Sequence, residues 1–404
     1  MPRKLPFHYG WVVVIAGTLG MFVSLGCGRL TLGMLLPSMG RAVGLDYAEM
    51  GLISTANFVG YLLAVLLVGR LVTRLGLRPT IVAGLMLVAG SLSAIAAAQG
   101  FVSILVLYFI TGLGNGASFV PLMIIISHWF QPSARGRASG FLMVGASLAM
   151  MASGLAVPAV NAAFGDAGWR LNWLGFGLAC VVVGLLAGLL LRNRPADLGL
   201  EPVGKAESGP KAPPTGAGLG RLVAHLGAIY WIFGFVYATY VTFVVTTMVD
   251  ERAFDEVAAG HFWALMGLIS VPSGPVFGAV SDRFGRRAAM IAVFAMQGLA
   301  YLLVAAALPD PAVLFSIVLF GLGAWAIPPI MAATVSDYMG LERAVRIFAL
   351  VTLAMGVGQM LGPAVAGGLA EWQGNFLGGY ALIAGLALGA VMLVAFLPRP
   401  AGKG

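Results

Sequence analysis

Gly69-Arg70-Leu71-Val72-Thr73-Arg74-Leu75-Gly76-Leu77-Arg78 recurs as Gly278-Ala279-Val280-Ser281-Asp282-Arg283-Phe284-Gly285-Arg286-Arg287, an offset of 209 positions. The same offset carries Gly112-Leu113-Gly114 onto Gly321-Leu322-Gly323, Ser127 onto Ser336 and Arg137 onto Arg346. Four separated coincidences at one shift mark an internal repeat, so the chain consists of two halves of like topology. Parallel repeats in a membrane protein are related by a pseudo-two-fold along the membrane normal, and they place a substrate at their interface near mid-membrane.

The residues around the repeat decide its medium. Of the 404 residues, 60% are apolar and only 9% charged, where a soluble protein carries about a quarter charged. This composition excludes an ordinary soluble enzyme, a disordered chain and a disulfide scaffold. Cys27 and Cys180 both lie in apolar stretches. A helix needs about 20 apolar residues to cross a hydrocarbon core. Twelve such runs are predicted, at 11–36, 48–69, 79–98, 102–127, 138–160, 173–191, 226–249, 259–281, 288–308, 312–335, 347–369 and 379–397. None alternates with period two, which argues against a β-barrel. The first run follows Arg3 and Lys4, as a signal peptide would, but it is too long for an h-region and no small-residue cleavage site follows it.

The cations test this count. With the N-terminus in the cytoplasm and a crossing at every run, 19 of the 23 Lys and Arg residues fall in cytoplasmic segments. Arg41, Arg170 and Arg252 fall outside, and Arg29 lies inside helix 1. Such a bias is the positive-inside rule, and it turns the net charge of +8 into a topology rather than a nucleic-acid signature. Both termini are expected in the cytoplasm of a multi-pass protein of the cell membrane, in a bacterium the inner membrane. The longest loop contains Arg194-Pro195-Ala196-Asp197-Leu198-Gly199-Leu200 and then Gly209-Pro210-Lys211-Ala212-Pro213-Pro214, which reads as a flexible linker. The expected organisation is therefore a six-helix bundle over 1–191, a linker over 192–225 and a second six-helix bundle over 226–404.

The second copy, G-x-x-x-D-R-x-G-R-R between helices 8 and 9, resembles the signature loop of the major facilitator superfamily. That resemblance covers the whole chain and implies an all-α polytopic fold of twelve helices in two pseudo-symmetric halves. It also implies a cytoplasmic latch formed by Asp282, Arg283 and Arg286, with Arg74 in the first copy. There Thr73 replaces the acid, so the first half-latch is expected to be weaker.

Finer motifs are similar to two branches. Tyr9-Gly10-Trp11, the run from Gly114 to Pro121, Ser127-His128-Trp129-Phe130, Gly168-Trp169-Arg170 and the Arg194–Leu200 motif resemble oxalate–formate and monocarboxylate porters. Cys27-Gly28-Arg29, Leu35-Leu36-Pro37, the run from Ala56 to Tyr61 and that from Gly358 to Pro363 resemble YbfB/YjiJ-type porters. The resemblance implies alternating-access transport of a small, monocarboxylate-like organic anion.

Arg29 is the most informative residue. At 1.5 Å per residue it stands about 27 Å along helix 1, roughly two thirds of the way across. A charge there costs about 2.5 kcal/mol or more, and no carboxylate lies in a predicted helix interior. A guanidinium facing a cavity would take a carboxylate, sulfonate or phosphate in bidentate fashion. The alternative is that Arg29 reaches the outer headgroups or caps helix-end carbonyls.

Neutral polar and aromatic groups near mid-helix complete the candidate site: Asn57 and Tyr61 on helix 2, Asn115 and Phe119 on helix 4, Tyr237 and Tyr240 on helix 7, Trp325 on helix 10 and Gln359 on helix 11. Tyr108 stands on the helix 4 face of Asn115. Interhelical hydrogen bonding is the competing reading of each. Tyr9, Trp11, Trp169, Trp173 and Trp231 stand near helix ends and are expected as interfacial anchors.

His128 and His261 stand near helix ends, where an interfacial role is commoner than a proton relay, and three coupling modes stand open: anion exchange, uniport, or symport with a proton shared between substrate and Arg29. A drug or metabolite exporter lacks its intramembrane counter-charge. A sugar or polyol porter could use Asn57, Asn115 and Gln359. No nucleophile–base pair, metal-ligand cluster or nucleotide loop argues for an enzyme, a metal or a cofactor. The expected partners are a small anionic substrate, the bilayer and the proton as a coupling ion, without nucleic acid, in a monomer.

Overall fold

The computed structural model describes residues 7–204, 219–306, 308–339 and 341–398. Arg3, Lys4, the Gly209–Pro214 stretch and residues 399–404 lie outside them. Helices 1 to 4 are Gly10–Val43, Tyr47–Leu75, Leu77–Ile95 and Phe101–Trp129. The next apolar stretch is two helices, 5 (Pro132–Phe164) and 6 (Gly168–Leu190), separated by a 3-10 turn at Gly165–Ala167. Helix 7 is Gly220–Glu251. Helix 8 is broken into Glu256–Ser270 and Ser273–Phe284 with a 41° bend. Helix 9 is Arg286–Ala305, helix 10 runs from Pro311 to Met339 with a break after Gly323, helix 11 is Leu341–Gln373 and helix 12 is Leu377–Ala395. Twelve spans are thus present among the described residues.

The two copies of the opening sequence fold alike. Gly76 and Gly285, equivalent at the 209 offset, have φ of +90° and +92° and make the turns between helices 2 and 3 and between helices 8 and 9. A side chain there would strain the backbone, which is why glycine stands in both copies. The arginine two residues beyond each glycine caps a helix of its own half. Arg78 donates through Nη2 to Gly188 O at the end of helix 6, and Arg287 through Nη2 to Ala395 O at the end of helix 12. At the opposite ends Arg170 donates to Ala96 O and Ala98 O at 2.8 and 2.6 Å, and Arg252 donates to Leu308 O and Val304 O. Cations at carbonyl-rich helix ends satisfy orphan acceptors and complement the helix dipole.

Two compact units result, Met1–Gly44 with Ala56–Ser208 and Leu45–Thr55 with Gly209–Gly404. The start of helix 2 groups with the second unit because Ser54 shares a 3.0 Å hydroxyl contact with Thr242 and Thr55 donates to Met360 O at 2.7 Å. The Arg194–Leu200 motif is folded onto the first unit. Asp197 accepts from the Arg194 N–H at 3.0 Å, and Gly199 closes a short turn with φ +66°. Val203 then pairs with helix 4, donating to Trp129 O and accepting from Gln131 N at 2.9 and 2.8 Å.

Outward faces are apolar: Leu66, Val102, Leu189, Phe284, Phe315 and Phe396 are each more than 60% exposed. In water so many protruding apolar side chains would drive aggregation, whereas in lipid they are solvated. Trp169 and Trp173 depart from the expected anchor role. They are 2% and 0% exposed, Trp169 under the Arg170 guanidinium at 4.2 Å and Trp173 edge-on to Tyr108 at 6.0 Å.

Candidate functional site

Helix 1 changes register where Arg29 stands. Residues Phe22–Leu30 form a π-helical stretch of nine residues, at whose end Thr31 donates its N–H to Gly26 O, five positions back. The Thr31 hydroxyl donates to the same oxygen at 3.3 Å. Gly26-Cys27-Gly28 is a weak helix former, so side chains of neighbouring helices can decide its backbone register. A π turn widens the helix and is often found at functional sites.

Helices 2 and 4 supply those side chains. They touch backbone to backbone at Gly112, where an added Cβ would come within 2.0 Å of Asn57 O. This approach sets Asn57 and Asn115 beside one another and beside helix 1. Asn57 Nδ2 donates to Gly28 O and to Tyr108 O, each at 3.2 Å. Asn115 Nδ2 donates to Gly28 O at 3.3 Å and to Asn57 Oδ1 at 3.5 Å, and the Tyr108 hydroxyl donates to Arg29 O at 3.0 Å.

The guanidinium of Arg29 is turned onto helix 2. Its Nε donates to Asn57 Oδ1 at 3.2 Å, and its carbon lies 4.6 Å from the Phe58 ring centre and 4.4 Å from that of Tyr61. Tyr61 in turn meets Phe119 edge-on at 6.1 Å. Asn57, Phe58, Tyr61 and Asn115 are buried, while Arg29 and Phe119 keep partial exposure. Cation–π contacts contribute about 0.5–2 kcal/mol each, and a hydrogen bond from a charged donor contributes about 1.5–3 kcal/mol. Together these match the ~2.5–3.5 kcal/mol cost of placing an arginine mid-membrane on insertion scales. Neutral side chains can therefore hold this charge, and the positive field it creates suits an anion.

In the second unit the positions equivalent to Arg29, Asn57 and Asn115 at the repeat offset are Ala238, Met266 and Ala324, so the polar knot has no counterpart there. Tyr237 instead lies 5.8 Å from Phe320 and 5.9 Å from Trp325. The backbone N–H of Trp325 donates at 3.0 Å to Ser273 Oγ, tying the break in helix 10 to the break in helix 8. Tyr240 is fully buried, stacked on Phe320 at 4.3 Å with its hydroxyl 2.7 Å from Ser316 Oγ, the surroundings of an interior packing residue. Gln359 is buried on helix 11, and its Oε1 has no hydrogen-bond partner among the described residues. An apolar groove of about 410 Å³ opens between helices 7 and 11, lined by Val223, Gly227, Trp231, Leu350 and Ala354 among others. None of the candidate residues lines it.

At the repeat loop Arg286 joins two carboxylates. Its Nη1 lies 2.5 Å from Asp282 Oδ1 and its Nε 3.1 Å from Asp337 Oδ2, while Nη1 also donates to Ser281 Oγ at 2.8 Å. Arg283 is exposed over its neighbour Phe284, and Arg74 is exposed as well. Asp337 lies outside the repeat loop, 51 positions from Arg286. It directly follows Ser336, the repeat mate of Ser127, and its own equivalent is His128. His128 Nδ1 sits 3.3 Å from Asn193 O, so the first unit joins a loop carbonyl where the second has an ion pair. Among the described residues no group of His, Cys, Asp and Glu could hold a metal ion.

The family model described as "Uncharacterised MFS-type transporter YbfB" matches residues 21–397. The hexuronate transporter of Bacillus subtilis (strain 168) is 23% identical over 400 residues, covering 92% of this chain and 91% of that protein. Monocarboxylate transporter 2 of Homo sapiens is 25% identical over 414 residues, covering 93% of this chain and 84% of that one. Among solved structures a D-xylose-proton symporter superposes with a TM-score of 0.77 at 16% identity, covering 98% of this chain and 100% of the other.

Proposed function

This chain belongs to the YbfB-type family of major facilitator superfamily transporters, and we propose that it carries small, monocarboxylate-like organic anions by alternating access, with Arg29 meeting the carboxylate. The observation that carries this reading is the Arg29 guanidinium, held within the apolar helix 1 by the neutral side chains of Asn57, Phe58 and Tyr61. A cation kept in a low-dielectric site at such cost favours an anionic cargo, and the guanidinium fork fits a carboxylate. The names of two relatives, a hexuronate transporter and a monocarboxylate transporter, support the same class.

Tyr61 and Phe119 are the side chains we assign to substrate contact in the first unit, and Tyr237, Trp325 and Gln359 those in the second. In the second unit Asp282, Arg286 and Asp337, with Arg283 beside them, would form a latch at the end of the helices on which the basic residues concentrate, and Arg74 is the first unit's residue assigned to the same role. That end is read as cytoplasmic, with both termini, and the protein as a monomer. Either anion exchange or proton-linked transport would suit a site with no carboxylate of its own.

Counterflow in liposomes tests the reading with a panel of mono- and dicarboxylates, sulfonates, sugars and cationic dyes. Monocarboxylates are expected to drive counterflow best. Transport of sugars or dyes in preference to every anion would overturn it.

A further inference from the structure

The hydrogen bonds of Asn57 separate its role from that of Arg29. An asparagine amide offers two donors and an acceptor oxygen with two lone pairs. At Asn57 both Nδ2 hydrogens are used, on Gly28 O and Tyr108 O, and Oδ1 receives Arg29 Nε and Asn115 Nδ2. The side chain is saturated and 1% exposed, which leaves it no capacity to bind a cargo. Three side chains act on the backbone of helix 1 itself: Asn57 and Asn115 on the carbonyl of Gly28, and Tyr108 on the carbonyl of Arg29. Those carbonyls belong to the last turn of the π stretch Phe22–Leu30. A residue's azimuth around a helix depends on the register of the turns before it, so relaxing this stretch to α geometry would rotate Arg29 and part its Nε from Asn57.

We infer that Asn57 is a positioning residue rather than a ligand to the cargo, and that with Asn115 and Tyr108 it clamps Gly28 and Arg29 in the π register that aims the guanidinium. The inference rests on the reading of Arg29 as the anion-binding group. It adds that the anion site depends on a backbone register held by two other helices. Tyr108, 1% exposed and donating only to a main-chain oxygen, belongs to the clamp alone.

The test measures equilibrium binding of three probes, lactate, benzoate and D-glucuronate, to purified wild type, Tyr108→Phe, Asn57→Asp and Arg29→Ala, together with amide hydrogen exchange over residues 22–31. Loss of one clamp bond in Tyr108→Phe is expected to weaken all three probes by a common factor of about three to ten. Their order of preference is expected to stay the same, while exchange in 22–31 accelerates. Asn57→Asp, which keeps the acceptor but neutralises the guanidinium, is expected to weaken them by about tenfold or more. Wild-type affinity and exchange in Tyr108→Phe would overturn the clamp. A changed order of preference in Asn57→Asp would overturn it too, by making Asn57 a cargo contact. If Arg29→Ala abolishes binding while both other variants bind like wild type, the clamp fails and the anion reading stands. If Arg29→Ala binds like wild type, the anion reading itself fails and takes the clamp with it.

Discussion

Arg29 donates its Nε to Oδ1 of Asn57 at 3.2 Å, joining a cation within the apolar run of helix 1 to an amide on helix 2. The partner is neutral, so the bond holds the guanidinium without cancelling its charge. A carboxylate at position 57 would have made a buried ion pair and removed the field that an anion senses. The electrostatics of the first unit follow from that one choice of side chain.

The π stretch lies close against helix 5. A Cβ at Gly26 would come within 2.0 Å of the Ala149 Cβ. Gly26→Ala should therefore destabilise the protein by about 1–3 kcal/mol, the usual cost of overpacking. Thermal unfolding in detergent should show a lowered Tm, and adding Ala149→Gly should restore it. An unchanged Tm in the single variant would contradict this contact.

Tyr240 belongs to the interior of the second unit. Its hydroxyl meets Ser316 Oγ, and its ring stacks on Phe320. Tyr240→Phe should cost about 0.5–1.5 kcal/mol of stability and leave the KM for anions at the wild-type value. A raised KM at unchanged stability would make Tyr240 a substrate contact instead.

The breaks in helices 8 and 10 share one hydrogen bond. Ser273→Ala would remove the hydroxyl that accepts from the Trp325 N–H, at a cost of about 0.5–1.5 kcal/mol for one part-buried hydrogen bond. Amide exchange at Trp325 should accelerate markedly in this variant, while helix 3, which takes no part in the contact, should exchange as before. Equal protection at Trp325 in both proteins would argue against the bond.

The carboxylates around Arg286 are partly exposed, with side-chain exposures of 71% for Asp282 and 28% for Asp337. Such pairs contribute about 0–1 kcal/mol to stability, so Asp337→Asn should barely move the Tm. As a latch residue Asp337 should instead affect the rate, lowering the maximal transport velocity severalfold at constant KM. A changed KM with unchanged velocity would place Asp337 outside the latch.

The sequence made the apolar spans and the two copies of the repeat turn legible because both rest on local signals. Run length marks a span, and one offset of 209 carries the glycines at 76 and 285 into the same turn. Arg29 stood out because a charge is conspicuous in an apolar run, and Asn57, Tyr61 and Asn115 because polar and aromatic groups are conspicuous there too. What the sequence could not disclose is what these groups do to one another. The π register of Phe22–Leu30 is set by side chains 27 or more positions away, so no periodicity within helix 1 encodes it. Asp337 is remote in sequence from Arg286, and only its place beside Ser336 in the repeat pointed to it. The breaks in helices 8 and 10 fall within continuous apolar runs, where hydropathy carries no signal of a bend. The Arg194–Leu200 motif reads as flexible linker in the sequence because its turn chemistry is common to ordered and disordered loops. The contacts of Val203 with helix 4 are what order its end.

The central claim is that Arg29 binds the carboxylate of the cargo, and the most direct measurement is equilibrium binding of a monocarboxylate to the purified wild type, Arg29→Lys and Arg29→Ala. Arg29→Lys should bind about tenfold more weakly or worse, because an ammonium lacks the bidentate fork, and Arg29→Ala should show no binding at all. Wild-type affinity in a well-folded Arg29→Ala protein would contradict the account.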